Sequence, residues 1–408
     1  LFLPLAGVER YEAVAENPAD IKAAGRLSKL YDAILAANPD WLEPEHTHAL
    51  NIFMTRLLFC MFAEDTGIFK NDIFIQSVND CTDVGGSDVA SYLKRIFDIM
   101  DVEPSDRGDE PDFVTRFPYV NGGLFREKTD TPKFSKQARR ILLETARLDW
   151  SKINPDIFGS MIQAVVEPGM RGDLGMHYTS VPNIMKVLQP LFLIELEGSF
   201  EKGKESASIL KKLLNRIAHI RVFDPACGSG NFLIISYREL RKLEIRIIKR
   251  INEIVDTPEF PYTSVKLDQF FGIEAADFAC ETAKLSLWIA EYQMNKIFED
   301  TLGKASPVLP LKEGGAIVQG NSCQLEWLEV CPLRDNCETF VVGNPPFVGA
   351  RKQTKLQKKD TREVLRDYSG VNSLDYVCAW FQKSAGYIDA SNAKSAFVAT
   401  NSLTQGQL

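Results

Sequence analysis

The stretch HIRVFDPACGSGNF, residues 219–232, decides the fold. The apolar run Ile220–Phe223 predicts a short buried strand, and the glycines at positions 228 and 230 predict a tight turn, because glycine adopts backbone angles that other residues avoid. A long amphipathic run, Phe232–Val255, follows and predicts a helix. In an open α/β sheet a ligand lies at the carboxyl edge of such a strand. A dinucleotide fingerprint would need a third glycine, but position 233 is leucine, so a pyrophosphate ligand is disfavoured.

Short apolar runs alternate with amphipathic runs through the rest of the C-terminal half. Beside residues 219–224, strands are predicted at Gln269–Glu274, Ala316–Gly320, Phe340–Gly343 and Ala396–Thr400, and further helices at Phe278–Phe298 and Ser373–Ile388. This alternation predicts an α/β domain with a mainly parallel sheet and helices on both faces. The N-terminal part is predicted to be all-helical, with helices at Thr47–Phe62, Val89–Met100 and Ser135–Leu148. We therefore predict two domains, residues 1–160 and 161–408.

Composition and cysteine spacing exclude several classes. The net charge of −8 argues mildly against a dedicated nucleic-acid binder. The longest apolar stretch, Val187–Leu196, contains Gln189, Pro190 and Glu195 and is far too short to span a bilayer. Cys331 and Cys337 have no second ligand pair at a suitable spacing, so no metal site is expected. Reduced thiols and a cytoplasmic location are expected instead.

Two polar residues follow predicted strands. Glu274 ends the second strand, and one carboxylate can accept hydrogen bonds from both hydroxyls of a ribose. Asn321, after the third strand, is expected beside the base of the same nucleoside. A solvated glutamate at a strand end and an asparagine that forms a turn are the alternatives.

The stretch VVGNPPF, residues 341–347, carries the most chemical information. Its two prolines fix the backbone and remove two N–H donors. The side-chain oxygen of Asn344 and the carbonyl of Pro345 could each accept one hydrogen of an exocyclic amino group, and Phe347 offers a face on which a base can stack. The stretch holds no Pro-Cys nucleophile. A Pro-Pro turn at a sheet edge is the alternative.

A basic run, RKQTKLQKKDTR, occupies residues 351–362 directly after this stretch. It holds six basic residues and one acidic residue in an otherwise acidic chain. Such a run is expected to contact nucleic-acid phosphates, through Arg351, Lys352, Lys355, Lys358 and Lys359. A solvated loop is the alternative.

These motifs resemble those of a known family. DPACGSGNF and NPPF, with GMHYTS at residues 175–180 upstream of both, are similar to the motifs of the gamma group of class I, S-adenosylmethionine-dependent DNA amino-methyltransferases. The wider match is to MmeI-like type II restriction–modification enzymes. The stretches VNGGLF, residues 120–125, and NPDIFG, residues 154–159, resemble the helical spacer of those enzymes. The resemblance covers nearly the whole chain and implies a Rossmann-like methyltransferase domain, truncated at its C-terminus, behind a helical spacer.

The resemblance also implies the chemistry. The amino nitrogen (N6) of an adenine flipped out of double-stranded DNA would take the cofactor's methyl group directly. The catalytic residues would be Asn344, Pro345, Pro346 and Phe347. The residues implied to bind S-adenosylmethionine are Tyr178, Thr179, Asp224, Pro225, Ala226, Cys227, Gly228, Gly230, Glu274 and Asn321. Tyr178 could instead be a core aromatic residue at a helix start.

Two parts of the family pattern are missing. No glutamate has lysine two residues later, so the metal-dependent nuclease motif is absent and DNA cleavage by this chain is not expected. The target-recognition domain would follow residue 408, and both ends read as cuts in a longer chain. Nuclease and target-recognition domains are therefore expected partners in the full-length protein. Methylation of protein glutamine or RNA, and a non-catalytic cofactor-sensing role, are the alternative functions.

Overall fold

The structure is a computed structural model that describes residues 18–69, 72–120, 124–150, 179–255, 262–303 and 316–399. The predicted domain boundary after residue 160 and Tyr178 of the GMHYTS stretch lie outside these ranges. Within the described ranges, no helix is both long enough and apolar enough to cross a bilayer.

The N-terminal part is helical, as predicted, and is built around one buried helix. In α2 every side chain from Leu50 to Glu64 is buried. A helix that is apolar around its whole circumference belongs in the centre of a core, and the neighbouring helices pack around it. The predicted helix at Val89–Met100 has those bounds in the structure. The helices are α1 (Pro18–Ala37), α2 (Pro44–Asp65), α3 (Ile73–Cys81), α4 (Val89–Met100), α5 (Asp112–Thr115) and α6 (Lys136–Ala146).

The C-terminal part contains a parallel five-stranded sheet with the strand order β3-β2-β1-β4-β5. The central strand β1 is buried along its whole length, whereas the edge strands β3 and β5 are partly exposed. The parallel sheet confirms the predicted α/β class, because both faces of such a sheet are covered by helices. The strands are β1 (Ile220–Asp224), β2 (Phe270–Glu274), β3 (Ala316–Gln319), β4 (Glu338–Gly343) and β5 (Lys394–Phe397).

Alternate side chains of the central strands point into two cores. Val222 and Phe340 pack with the helices on one face, and Phe223 and Val341 pack with those on the other. The first face is covered by α7 (Val181–Leu188), α8 (Ile194–Gly203), α9 (Ala207–Ile217), α10 (Asn231–Ile254) and α11 (Asp277–Leu302). A π-helical turn, Gln189–Leu193, joins α7 to α8. The second face carries α12 (Trp327–Val330), α13 (Lys355–Val364) and α14 (Cys378–Asp389).

The predicted start of the last helix and both predicted bounds of the last strand are wrong. The last helix was expected from Ser373, but α14 begins at Cys378. The preceding residues form a loop because the Asp375 carboxylate accepts hydrogen bonds from the backbone N–H groups of Val348 (3.0 Å) and Val377 (3.1 Å). The last strand, expected at 396–400, instead covers 394–397, because its register with β4 pairs residue 397 with residue 343.

Helix α11 joins the two parts. One side of it covers the sheet, and on the other side Trp288 is buried in the helical core, with its ring 5.0 Å from that of Phe59. At the start of α11, Asp277 contacts Nδ1 of His48 at 2.6 Å, and Glu127 contacts the other ring nitrogen at 2.8 Å. The helix that follows β2 therefore rests directly on the helical part.

Candidate active site

The glycine turn lies between the carboxyl ends of β1 and β2. Gly230 has a φ of +86°, and a Cβ there would lie 3.1 Å from the Cβ of Ala283. The backbone N–H of Cys227 donates to the carbonyl of Ile273 at 3.0 Å, which fixes the turn against β2. Helix α10 starts directly after the turn, so its first N–H groups point toward the edge of the sheet.

Two carboxylates border this turn. Asp224, which ends β1, is buried, and its Oδ1 accepts from the backbone N–H of Ala226 at 2.9 Å. Burial raises the pKa of Asp224 to about 8. Glu274, which ends β2, accepts from the N–H of Gly228 at 2.9 Å and from that of Ala276 at 2.8 Å. Burial also raises the pKa of Glu274, although these backbone hydrogen bonds oppose the rise.

The NPPF stretch begins where β4 ends, beside the end of β1. Gly343 lies so close to Asp224 that a Cβ on it would be 2.5 Å from Oδ1 of that carboxylate. The next residue, Asn344, donates from Nδ2 to Oγ1 of Thr179 at 3.0 Å. Its Oδ1 is buried and has no hydrogen-bond partner among the described residues. Pro345 is buried and Phe347 is half-buried. This acceptor can therefore take a hydrogen bond from a ligand or from water.

The loop after NPPF is held by a residue of the basic run. Gln353 is buried, and its Nε2 donates to the carbonyls of Val348 and Leu374, each at 2.9 Å. The backbone N–H of Tyr376 donates to the same Val348 carbonyl at 3.1 Å. These bonds fix the segment that directly follows Phe347.

The basic run continues as helix α13 and has two distinct sides. Thr354 and Gln357 form a capping box that starts the helix. Asp360 and Thr361 face inward and are buried. Five residues of the run were predicted to contact phosphates. Lys358 is half-buried, and the other four are exposed: Arg351, Lys352, Lys355 and Lys359. Lys359 lies 3.6 Å from the exposed Glu363. The solvent side of the run is therefore strongly basic, because its one acid is turned inward.

Asn321 lies in the loop after β3 and is bonded to that inward acid. Its Nδ2 donates to Oδ2 of Asp360 at 2.8 Å, and its Oδ1 accepts from the N–H of Cys323 at 2.9 Å. The cofactor contact of Asn321 stays a prediction. From the sequence, Asp360 is only the one acid of a basic run, and its contacts are not predicted. Helical spacing does place it on the same face as Val364, four residues later, which was the available signal.

No group of His, Cys, Asp and Glu side chains in the described ranges could hold a metal ion. All eight cysteines are free thiols.

A parallel sheet of this order, with a glycine turn after β1, an acid at the end of β2 and NPPF after β4, defines a Rossmann-like methyltransferase. The chain belongs to the MmeI family: residues 200–408, half of the chain, match the model described as "MmeI, DNA-methyltransferase domain". Residues 48–125 match the model described as "MmeI, helicase spacer domain".

The relatives agree with this family. DNA methyltransferase A of Bacillus subtilis (strain 168) is 48% identical over the whole of this chain, which covers 46% of that protein. A Methanocaldococcus jannaschii protein, named as a type II restriction enzyme and methyltransferase, is 26% identical over 88% of this chain. The match covers 35% of the length of that protein. The solved structure of the type IIL restriction–modification enzyme MmeI in complex with DNA superposes with a TM-score of 0.86. That match has 39% identity and covers 96% of this chain and 52% of MmeI. The chain thus spans about half the length, or less, of these relatives.

Proposed function

We propose that this protein transfers the methyl group of S-adenosylmethionine to the N6 amino group of an adenine flipped out of duplex DNA, as part of a restriction–modification enzyme. Membership of the MmeI family supports the methyltransferase class and the DNA substrate. The choice of an amino group as acceptor is supported by the site.

The observation that carries the proposal is the unpartnered Oδ1 of Asn344. An exocyclic amino group has two hydrogens to donate, and this oxygen can accept one of them. Thr179 binds the other end of the same carboxamide, which keeps Oδ1 free for a ligand. The carbonyl of Pro345 would accept the second hydrogen. The two acceptors would hold the amino nitrogen in one orientation, so catalysis would consist mainly of positioning and electrostatic stabilisation.

The residues at the neighbouring strand ends fit S-adenosylmethionine. Gly228 carries no side chain, and no other atom lies within 4 Å of the position that a Cβ there would take. Glu274 keeps lone pairs beyond its two backbone hydrogen bonds, and these could accept from ribose hydroxyls. The cofactor would supply an electrophilic methyl group. Asp224 supports the backbone at Ala226 through Oδ1 and stays a predicted cofactor residue.

The basic solvent side of residues 351–362 supports contact with DNA phosphates close to the pocket. Lys355 and Lys359 are exposed on one helix that begins eleven residues after Asn344. Extrusion of a base from the stack costs a few kcal/mol, and phosphate contacts beside the pocket would offset part of that cost. Free thiols and the proposed DNA substrate agree with a bacterial cytoplasm.

The test is methyl transfer by Asn344→Ala. The protein is incubated with labelled S-adenosylmethionine and duplex DNA, and the product nucleosides are identified by mass spectrometry. Loss of the acceptor is expected to lower kcat by about a hundredfold or more, as for other single electrostatic contacts in active sites. Asn392→Ala, which changes an exposed asparagine before β5 in the same way, is the control and should keep full activity.

The product also tests the substrate. N6-methyl-2′-deoxyadenosine supports the proposal, whereas N4-methyl-2′-deoxycytidine, or label transferred only to a glutamine-containing protein, contradicts it. Full methylation by Asn344→Ala would remove Asn344 from the catalytic machinery.

A further inference from the structure

Asp360 is a buried carboxylate at the point where the loop after β3 meets the basic helix. Its side chain is 1% exposed. Three neutral side chains donate to it: Asn321 Nδ2 at 2.8 Å, Gln324 Nε2 at 2.9 Å and the Tyr376 hydroxyl at 3.0 Å. No salt bridge to Asp360 occurs among the described residues. A carboxylate in this environment depends on all three donors.

The hydrogen bonds leave Asn321 one orientation. A carboxylate only accepts, so the amide nitrogen of Asn321 must face Asp360 and the amide oxygen must face the N–H of Cys323. An aspartate at position 321 would place two carboxylates within hydrogen-bond distance. The side chains of Asp360 on α13 and Asn321 after β3 therefore form a complementary acceptor and donor pair.

We propose that Asp360 is a positioning residue that holds two binding elements at one fixed separation: the loop of Asn321, which would lie at the adenine of the cofactor, and the helix whose outer side would bind DNA phosphates. This inference rests on the proposed function. Asp360 and Thr361 form the inner side of α13, and Lys355 and Lys359 lie on its outer side. A shift of the Asp360 carboxylate therefore moves the lysines and the Asn321 loop relative to each other.

The test separates positioning from simple loss of folded protein. Asp360→Asn keeps the shape but replaces one acceptor oxygen by an NH2 group, which faces either Gln324, bonded to Oδ1, or Asn321 and Tyr376, both bonded to Oδ2. We expect KM for S-adenosylmethionine and KM for DNA each to rise about tenfold, as for the loss of one charge-assisted hydrogen bond. The kcat at saturation should stay within about twofold, because Asn344 lies on a different strand end. Partial unfolding would instead lower kcat and leave both KM values unchanged.

Three further variants and a control make the test specific. Tyr376→Phe removes one donor with little change of shape and should raise both KM values by a smaller factor than Asp360→Asn does. It replaces Asp360→Asn as the test variant if Asp360→Asn does not fold. Asn321→Asp should raise KM for the cofactor more than Asp360→Asn does. Combining Asn321→Asp with Asp360→Asn restores an amide–carboxylate pair and should bring that KM back down. Asp367→Asn, the same change at an exposed position of the following turn, is the matched control.

A rise in only one KM overturns the proposal, because one carboxylate would then not be holding both elements. Unchanged KM values in folded Asp360→Asn overturn it as well, and so does a double variant no better than Asn321→Asp. Failure of the proposed function would be seen separately, in the activity of Asn344→Ala and in the identity of the methylated nucleoside.

Discussion

Replacement of Gly343 by alanine tests how closely the carboxyl end of β4 is packed. The backbone there has a φ of +151°, and the added Cβ would lie 2.5 Å from Oδ1 and 3.1 Å from Cγ of Asp224. Asp224 is buried and its Oδ1 is held by the N–H of Ala226, so the carboxylate cannot move without breaking that bond. The strained backbone costs about 1–3 kcal/mol. An unsatisfied buried N–H adds about 1–3 kcal/mol. The expected destabilisation is therefore about 2–6 kcal/mol.

The assay combines calorimetric melting with methyl transfer. For a domain of this size the expected loss lowers the melting temperature by at least about 5 °C. Activity should fall by about a hundredfold, because Asn344 is the next residue and a displacement of about 1 Å has that effect. Gly349→Ala is the matched control, since a Cβ there meets no atom within 4 Å. If Gly343→Ala melts and methylates like Gly349→Ala, the close approach of β4 to the Asp224 carboxylate is refuted.

Two further predictions concern the acids at the strand ends. Glu274→Ala should weaken calorimetric binding of S-adenosylmethionine by about 1–3 kcal/mol, whereas Asp268→Ala, at an exposed acid before β2, should not; equal affinities would remove Glu274 from the cofactor site. The folded-state pKa of Asp224, about 8, lies above the unfolded value of about 4, so its contribution to stability is complete below about pH 4 and is lost as pH rises toward 8. Relative to Asp224→Asn, the unfolding free energy of the wild type should then fall by about 1.4 kcal/mol per pH unit in that window. If the unfolding free energies of the wild type and of Asp224→Asn change with pH by the same amount, this prediction is wrong.

The buried and exposed sides of the basic helix α13 explain how an acidic chain can present a basic surface directly after the NPPF stretch. Helix α13 turns Asp360 inward, where neutral donors satisfy it, and presents Lys355 and Lys359 to solvent. The net charge of −8 is therefore a poor guide to the surface that a DNA substrate would meet.

The sequence alone determined the elements of the fold and the residue types of the site. Periodicity and turn residues placed β1, β2 and β4 to within two residues, and α4 at its observed bounds. These features are local, because a strand, a glycine turn and a helix start depend on neighbouring residues. The order of the motifs indicated the gamma group of DNA amino-methyltransferases, and the VNGGLF and NPDIFG stretches extended the resemblance to MmeI-like enzymes, which the family match confirmed.

Only the tertiary structure decided which side chains support the site. Asn344 meets Thr179 across 165 residues of chain, and Asp360 meets Asn321 across 39. Gln353 and Asp360 read as members of a charged run, yet both are buried. The start of α14 was mispredicted for the same reason, since Asp375 bonds back to Val348. Such contacts depend on which strand ends lie side by side, and no local pattern of residues encodes the hydrogen-bond partner that a side chain finds there.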